Sequence, residues 1–222
     1  LDNFGYLGGG NGFIPMLSGS PYHTYHKTTP QPQLNGRIHE IAQGKVLGGS
    51  SSINGLVYMR GLKKDYDEWK ISCNNARWGW EDILPHFKRI ECNERINNQY
   101  HGISGPLKVS DPKYISKGAY LYIKTLQELG INYSNDFNDG DPRGVGLMQL
   151  TVDDNKRCSA VDAFIKPIKN NKRLKIKTKS TVVKLLFENK KVIGVEYFEK
   201  NTLKKVYCNN DVILTAGSFQ TP

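Results

Sequence analysis

Apolar residues recur at helical spacing in several segments of the chain. Between residues 80 and 95, large apolar side chains fall on one face of a helix, and residues 116–129 repeat this pattern. Gly130 follows the second segment, at the position where a glycine commonly ends a helix. The same spacing predicts shorter helices at residues 51–59, 65–70 and 159–169.

Alternating apolar and polar residues predict strands, most of them in the last third of the chain. Polar turns at residues 188–190 and 199–201 fit hairpins. The apolar run at residues 212–215 is typical of a buried strand in a parallel sheet. We predict strands at residues 38–41, 107–111, 148–152, 174–177, 181–188, 192–199, 204–208 and 212–215. This mixture of helices and strands predicts an α/β fold, α+β in detail.

Three stretches carry turn residues instead of a periodic pattern. Residues 1–37, 93–105 and 135–146 are rich in Gly, Pro, Asn and Asp, and are predicted to be irregular. The glycine tract at residues 8–12 lacks a preceding apolar strand and the G-x-G-x-x-G spacing, so we predict a surface loop and not a dinucleotide-binding turn. His101 lies in the second stretch and is predicted to be a surface residue.

The net charge of +10 is unevenly spread, because residues 156–205 hold fifteen basic and four acidic side chains. Such a block can bind a polyanion. Here, however, lysines alternate with apolar residues, as at residues 174–177, which indicates half-buried strands with solvated outer faces. No aromatic residues are interleaved in the manner of a nucleic-acid motif. We therefore predict no nucleic-acid partner.

The cysteine and histidine spacings indicate neither a metal site nor nucleophilic catalysis. No C-x-x-C pair occurs and no histidine has triad or metal-ligand spacing, so no metal is predicted. The chain is not dense in cysteine, which favours free thiols and an intracellular protein. No transmembrane segment is predicted. The four cysteines are Cys73, Cys92, Cys158 and Cys208.

The segment with the clearest chemistry is the Gly-Ser loop, residues 44–55, which reads GKVLGGSSSING. Its glycines let the backbone approach a flat or anionic ligand closely. Serine hydroxyls and exposed backbone N–H groups can bind phosphate or ring carbonyl oxygens. Asn54 can hydrogen-bond in either sense, which suits the edge of a heteroaromatic ring. The alternative is a plain loop that caps a helix.

With the chain's last residues, the Gly-Ser loop resembles the two signatures of the glucose-methanol-choline (GMC) oxidoreductases. Residues 44–54 match the Gly-basic-x-aliphatic-Gly-Gly-Ser-Ser-x-Ile-Asn string, and residues 217–222 match the start of the second signature. Further matches lie between and before them in the family's order, at residues 28–37, 57–61, 65–69, 78–88 and 101–107. The resemblance covers nearly the whole chain.

The resemblance implies FAD as cofactor and assigns residues to its site. The Gly-Ser loop would run along the FAD pyrophosphate and isoalloxazine, and a valine matching Val182 would contact the adenine through its backbone. The family's Gly-rich Rossmann turn is not found, and its catalytic histidine is expected beyond Pro222, so no catalytic residue is predicted here. The implied FAD-binding residues are Gly48, Gly49, Ser50, Ser51, Asn54, Gly55, Val182, Ala216 and Gly217.

The resemblance also implies an organisation and a reaction. Residues 1–106 and 156–222 would form an incomplete FAD-binding domain, with a lid-like segment in the first part, and residues 107–155 part of the substrate-binding domain. The whole protein would oxidise a small alcohol by hydride transfer to flavin N5, with a quinone-like acceptor or dioxygen reoxidising the flavin. A choline-dehydrogenase-like or insect glucose-dehydrogenase-like member is favoured. A hydroxynitrile lyase with structural FAD and a non-catalytic remnant stay open as alternatives.

Overall fold

The computed structural model describes residues 20–222, so the glycine tract at residues 8–12 lies outside the described residues. The chain divides into two compact units, with the boundary between Lys169 and Asn170. This boundary coincides with neither predicted domain boundary, at 106/107 or 155/156. The assignment of domains to FAD and substrate stays a prediction. The mixture of helices and strands confirms the predicted fold class.

The first unit begins with two antiparallel strands, β1 (His23–Lys27) and β2 (Glu40–Gly44). Their register pairs His23 with Gly44, so β2 leads directly into the Gly-Ser loop. The prediction of irregular chain was wrong for β1. Its stability depends on pairing with β2, which the local residue pattern of β1 does not show. The strand predicted at residues 38–41 starts two residues later, because Glu40 is the last partner in the ladder.

Two helices follow the loop, α1 (Lys63–Ser72) and α2 (Trp80–Ile90). The Asp65 carboxylate accepts the Leu62 N–H at 2.8 Å and fixes the start of α1. Tyr66 joins the two helices, because its ring centroid lies 5.7 Å from that of Trp80 and 5.8 Å from that of Phe87. This packing buries both Tyr66 and Trp80. Helix α1 extends two residues beyond the predicted residues 65–70 at each end.

The helix predicted to reach residue 95 ends earlier, and the chain continues as β3 (Glu91–Asn93), parallel to β4 (Leu107–Val109). Glu91 leaves the helical conformation with φ −85° and ψ 139°. Its side chain is fully buried and accepts hydrogen bonds from several elements. We attribute the early end of α2 to this burial, because a buried carboxylate must be hydrogen-bonded.

The third helix, α3 (Lys117–Glu128), matches its prediction within two residues. Ser116 Oγ accepts the Ala119 N–H at 3.1 Å. At the other end Gly130 has φ +87°, and its N–H and that of Ile131 donate to the carbonyls of Gln127 and Leu126. The predicted glycine stop is therefore confirmed as a Schellman motif.

The rest of the first unit is less regular than predicted. The segment 51–59 is not a helix: only Gly49–Ser52 form a 3-10 turn, and Leu56 has φ +71°. In the strand predicted at residues 148–152, Leu150 forms isolated bridges with Val57 and Ser110, and a short hairpin of β5 (Val152–Asp153) and β6 (Lys156–Arg157) follows. The helix predicted at residues 159–169 is a π turn followed by a 3-10 turn, since Pro167 lacks the N–H that a helix needs.

The second unit is an antiparallel sheet of β7 (Ser180–Glu188), β8 (Lys191–Glu199) and β9 (Thr202–Tyr207). Asn189-Lys190 and Lys200-Asn201 both have positive φ, as type I′ hairpin turns require, and confirm the predicted hairpins. The strands predicted at residues 174–177 and 212–215 do not form. In the described part of this unit, no strand pairs with either segment, and Ile213 is 82% exposed.

Candidate functional site

The Gly-Ser loop leaves β2 and turns back on itself through close backbone packing. A Cβ atom on Gly44 would lie 2.3 Å from the Gly49 carbonyl oxygen. Gly48 has φ +87°, and a Cβ atom there would lie 2.4 Å from Ser52 Oγ. Both positions therefore require glycine, Gly44 for space and Gly48 for conformation and space.

The three serine hydroxyls of the loop turn inward and hold its shape. Ser50 Oγ accepts the Gly44 N–H at 3.2 Å. Ser51 Oγ donates to the Gly48 carbonyl at 2.6 Å, and Ser52 Oγ to the Leu47 carbonyl at 2.8 Å. The sequence could not show this direction, because a serine hydroxyl serves a ligand and the backbone equally well.

The outer face of the loop carries backbone donors. The N–H groups of Gly48, Ser50 and Gly55 donate no hydrogen bond to any residue between 20 and 222. A Cβ atom added to Gly49 or Gly55 would meet nothing within 4 Å. Amide donors that no residue between 20 and 222 accepts, together with open space at Gly49 and Gly55, fit a ligand rich in acceptor oxygens. FAD has such acceptors in its diphosphate and ring carbonyls.

Strand β6 and the residues that follow it hold the Gly-Ser loop through three hydrogen bonds. The Ala160 N–H donates to Ser51 Oγ at 2.9 Å. Arg157 Nη1 donates to the Ser51 carbonyl at 3.1 Å and to Asn54 Oδ1 at 2.6 Å. The loop is thus held by residues more than a hundred positions away in the sequence, which sequence reasoning missed.

A second polar feature is the buried charge cluster of Arg60, Glu91, His101 and Asp136. Arg60 Nη2 lies 2.6 Å from Glu91 Oε2. His101 bridges the two carboxylates, with Nδ1 2.8 Å from Glu91 Oε1 and Nε2 2.9 Å from Asp136 Oδ2. The side chains of Arg60, Glu91 and His101 are at most 2% exposed. The prediction that His101 is a surface residue was wrong.

Electrostatics hold His101 in its charged form. Burial by itself lowers the pKa of His101, but the hydrogen bonds to Asp136 and Glu91 outweigh it and raise the pKa to about 9. Burial raises the pKa of each carboxyl, whereas the hydrogen bond to His101 and others lower it more, so both pKa values lie below normal. At neutral pH the cluster holds two cations and two anions and is electrically balanced.

The cluster fixes the backbone that leaves the Gly-Ser loop. The Arg60 N–H donates to Asn138 Oδ1 at 2.8 Å, and Asn138 Nδ2 donates to the Tyr58 carbonyl at 3.3 Å. Asn93 Nδ2 lies 2.9 Å from Glu91 Oε1 and 2.8 Å from Gln149 Oε1. Because these polar groups satisfy one another's hydrogen bonds, we assign the cluster a structural role: it fixes the backbone that follows the Gly-Ser loop.

The remaining predicted FAD-binding residues lie in the second unit. Val182 is in β7, 53% exposed and opposite Tyr197, next to a break in the register before Lys184. Gly217 has φ +92°, and the Ala216 N–H donates to Thr221 Oγ1 at 2.9 Å, which closes a turn. Contact of any predicted residue with a cofactor stays a prediction.

Other site types find no support between residues 20 and 222. No group of His, Cys, Asp and Glu side chains is placed to hold a metal ion in this part of the chain. Its helices are also too short or too polar to cross a membrane. Each of the four cysteines has a free thiol.

Comparison with known proteins matches residues 7–222 to the family model described as GMC oxidoreductase. An alcohol dehydrogenase [acceptor] of Pseudomonas putida is 37% identical over 213 residues, which cover 94% of this chain and 38% of the relative. An oxygen-dependent choline dehydrogenase of Pectobacterium carotovorum is 34% identical over 208 residues, covering 93% of this chain and 37% of the relative.

Among solved structures, an FAD-dependent oxidoreductase from Chaetomium thermophilum superposes with a TM-score of 0.86 at 29% identity. The match covers 95% of this chain and 38% of that structure. The chain therefore spans less than two fifths of the length of these relatives.

Proposed function

Because this chain belongs to the GMC oxidoreductase family, we propose that it forms part of the FAD site of an enzyme that oxidises the CH–OH group of a small alcohol. The names of its relatives, an alcohol dehydrogenase and a choline dehydrogenase, support this substrate class. The relatives are more than twice as long as this chain. The activity therefore belongs, in this proposal, to a whole protein of their length.

The observation that carries the proposal is the outer face of the Gly-Ser loop. One short segment holds two uncrowded glycines and three N–H groups that donate to no residue in the described part of the chain. FAD presents phosphate oxygens, ring carbonyl oxygens and the ring nitrogens N1 and N5, which accept hydrogen bonds in the oxidised flavin, so N–H donors suit them. The loop residues proposed to bind FAD are Gly48, Gly49, Ser50, Ser51, Asn54 and Gly55.

The second unit would contribute Val182, Ala216 and Gly217 to FAD binding. When bound, FAD supplies a ring whose N5 accepts the hydride of the alcohol. The residues of this chain bind and orient that ring, and none of them is proposed as the catalytic base. A quinone-like acceptor or dioxygen is proposed to reoxidise the cofactor, and an intracellular location stays a proposal drawn from cysteine usage.

Titration of the purified chain with FAD, followed by the visible flavin spectrum and the elution of flavin with protein, tests the proposal. A Gly55→Val variant places a branched side chain on the open face of the loop, so we expect it to weaken FAD binding by about tenfold or more. Its unfolding temperature should stay unchanged, because a Cβ atom at Gly55 meets no protein atom within 4 Å.

Gly118→Ala is the matched control. Gly118 lies in α3, and the nearest atom to an added Cβ is Ser116 Oγ at 3.9 Å. This variant should bind FAD like the unchanged chain. Failure of the unchanged chain to retain FAD, or equal FAD affinity in Gly55→Val, would contradict the proposed role of the loop.

A further inference from the structure

Arg157 makes two hydrogen bonds to the Gly-Ser loop through one nitrogen, Nη1. One goes to the Ser51 carbonyl at 3.1 Å and the other to Asn54 Oδ1 at 2.6 Å. Arg157 is half-buried at the end of β6, whereas its neighbour Lys156 is exposed. The guanidinium therefore reaches inward to the loop, while the adjacent cation faces solvent.

The contact determines which end of the Asn54 amide faces outward. Arg157 Nη1 is a donor, and so is the Leu56 N–H, which lies 3.2 Å from the same Asn54 oxygen. Two donors can be satisfied only by the carbonyl oxygen of the amide. Asn54 Nδ2 consequently points away from both, and it makes no hydrogen bond to any residue between 20 and 222.

This orientation removes an ambiguity that the sequence leaves open. An unconstrained asparagine offers a ligand either a donor or an acceptor. Here the oxygen of Asn54 is held by Arg157 and Leu56, and the side chain is exposed, so the outer face of the loop receives only its NH₂ group. That group adds a side-chain donor to the loop, whose Gly48, Ser50 and Gly55 N–H groups donate to no residue between 20 and 222.

We propose that Arg157 is a positioning residue for FAD: it locks the Asn54 amide with Nδ2 outward, so that Asn54 donates to an acceptor atom of the cofactor. The inference rests on the proposed function, because FAD is the ligand. In this proposal Arg157 acts on the cofactor through Asn54 and Ser51, its hydrogen-bond partners in the loop. The orientation of the Asn54 amide depends on the hydrogen bond that Arg157 donates, and the positive charge of Arg157 contributes less to it.

Two substitutions of Asn54 test the direction of the bond. Asn54→Asp has nearly the same shape, and its carboxylate accepts from Arg157 and Leu56 at least as well, but it has no donor. We expect the variant to keep its unfolding temperature and to bind FAD about tenfold or more weakly. Asn54→Ala removes donor and acceptor together and should weaken FAD binding by several-fold.

Arg157→Met, alone and with Asn54→Ala, tests whether Arg157 acts through Asn54. Alone it should weaken FAD binding and shift the visible flavin spectrum, because the amide loses its fixed orientation. In the Asn54→Ala background it should cause little further loss. Arg157→Lys keeps one donor and should restore part of the affinity. Lys156→Met, which removes the neighbouring exposed charge, is the control and should bind FAD normally.

The outcomes separate the two proposals. If the unchanged chain binds no FAD, the proposed function fails for this chain, and the inference fails with it. If the unchanged chain binds FAD but Asn54→Asp binds it equally well, the inference alone is wrong. The inference is also wrong if Arg157→Met costs as much FAD affinity in the Asn54→Ala background as in the unchanged chain.

Discussion

The buried charge cluster should make the stability of the first unit depend on alkaline pH. His101 has an ordinary pKa of 6.5 in the unfolded chain and about 9 in the folded protein. The folded state therefore binds the proton more tightly, and the stabilisation is fully present below pH 6.5. It declines as the pH rises above 6.5 and is gone above pH 9.

The size of the effect follows from the two pKa values of His101. At about 1.4 kcal/mol per pKa unit, the rise from 6.5 to about 9 corresponds to roughly 3 kcal/mol of unfolding free energy. Between these pH values the free energy should fall by up to about 1.4 kcal/mol per pH unit, the slope for one proton. This is a large share of the total stability of an ordinary domain.

Urea unfolding at several pH values from 6 to about 9.5, followed by tryptophan fluorescence, measures this slope. Trp69, Trp78 and Trp80 all lie in the first unit. His101→Gln should be less stable at pH 6 and should lose the slope, since it cannot gain a proton. His86→Gln is the control, because His86 is exposed on α2, and it should keep the slope. A flat profile in the unchanged chain, or an unaltered slope in His101→Gln, would refute the reasoning.

The remaining predictions concern the loop and the arginine of the cluster. Gly48→Ala should destabilise the chain by about 1–3 kcal/mol in urea unfolding, because it forces positive φ on an alanine and brings its Cβ within 2.4 Å of Ser52 Oγ. Gly55→Ala, which meets no such contact, should leave stability unchanged, and equal losses in both variants would show that the backbone argument is wrong. Arg60→Met should cost about 3–5 kcal/mol, since it takes from the buried Glu91 carboxylate one of its two cationic partners, the one at 2.6 Å. Arg143→Met removes an exposed ion pair with Asp141 and should leave the urea midpoint unchanged. A similar loss of stability in Arg60→Met and Arg143→Met would mean that burial does not determine how much an ion pair contributes.

Local patterns predicted those elements whose stabilising contacts are also local. Helix α3 could be predicted with both ends, because Ser116 and Gly130 cap it within one turn. The hairpin turns of the second unit could be predicted as well, since two consecutive residues with positive φ determine each turn. By contrast, β1 was missed, because its ladder with β2 joins residues that are far apart in the sequence.

For the candidate site, the sequence identified the segment but not how it works. The two signature segments, residues 44–54 and 217–222, together with the ordered matches along the chain, indicated the GMC family and FAD. The glycines of the loop indicated a close approach to the backbone, which few residue types tolerate. Only the tertiary structure decided that the serine hydroxyls turn inward and that Arg157 orients Asn54. It alone decided that His101 is buried between Glu91 and Asp136. The contacts of His101 and Arg157 join residues from 10 to 106 positions apart, and hydrogen-bond partners at such separations leave no periodic pattern in a single sequence.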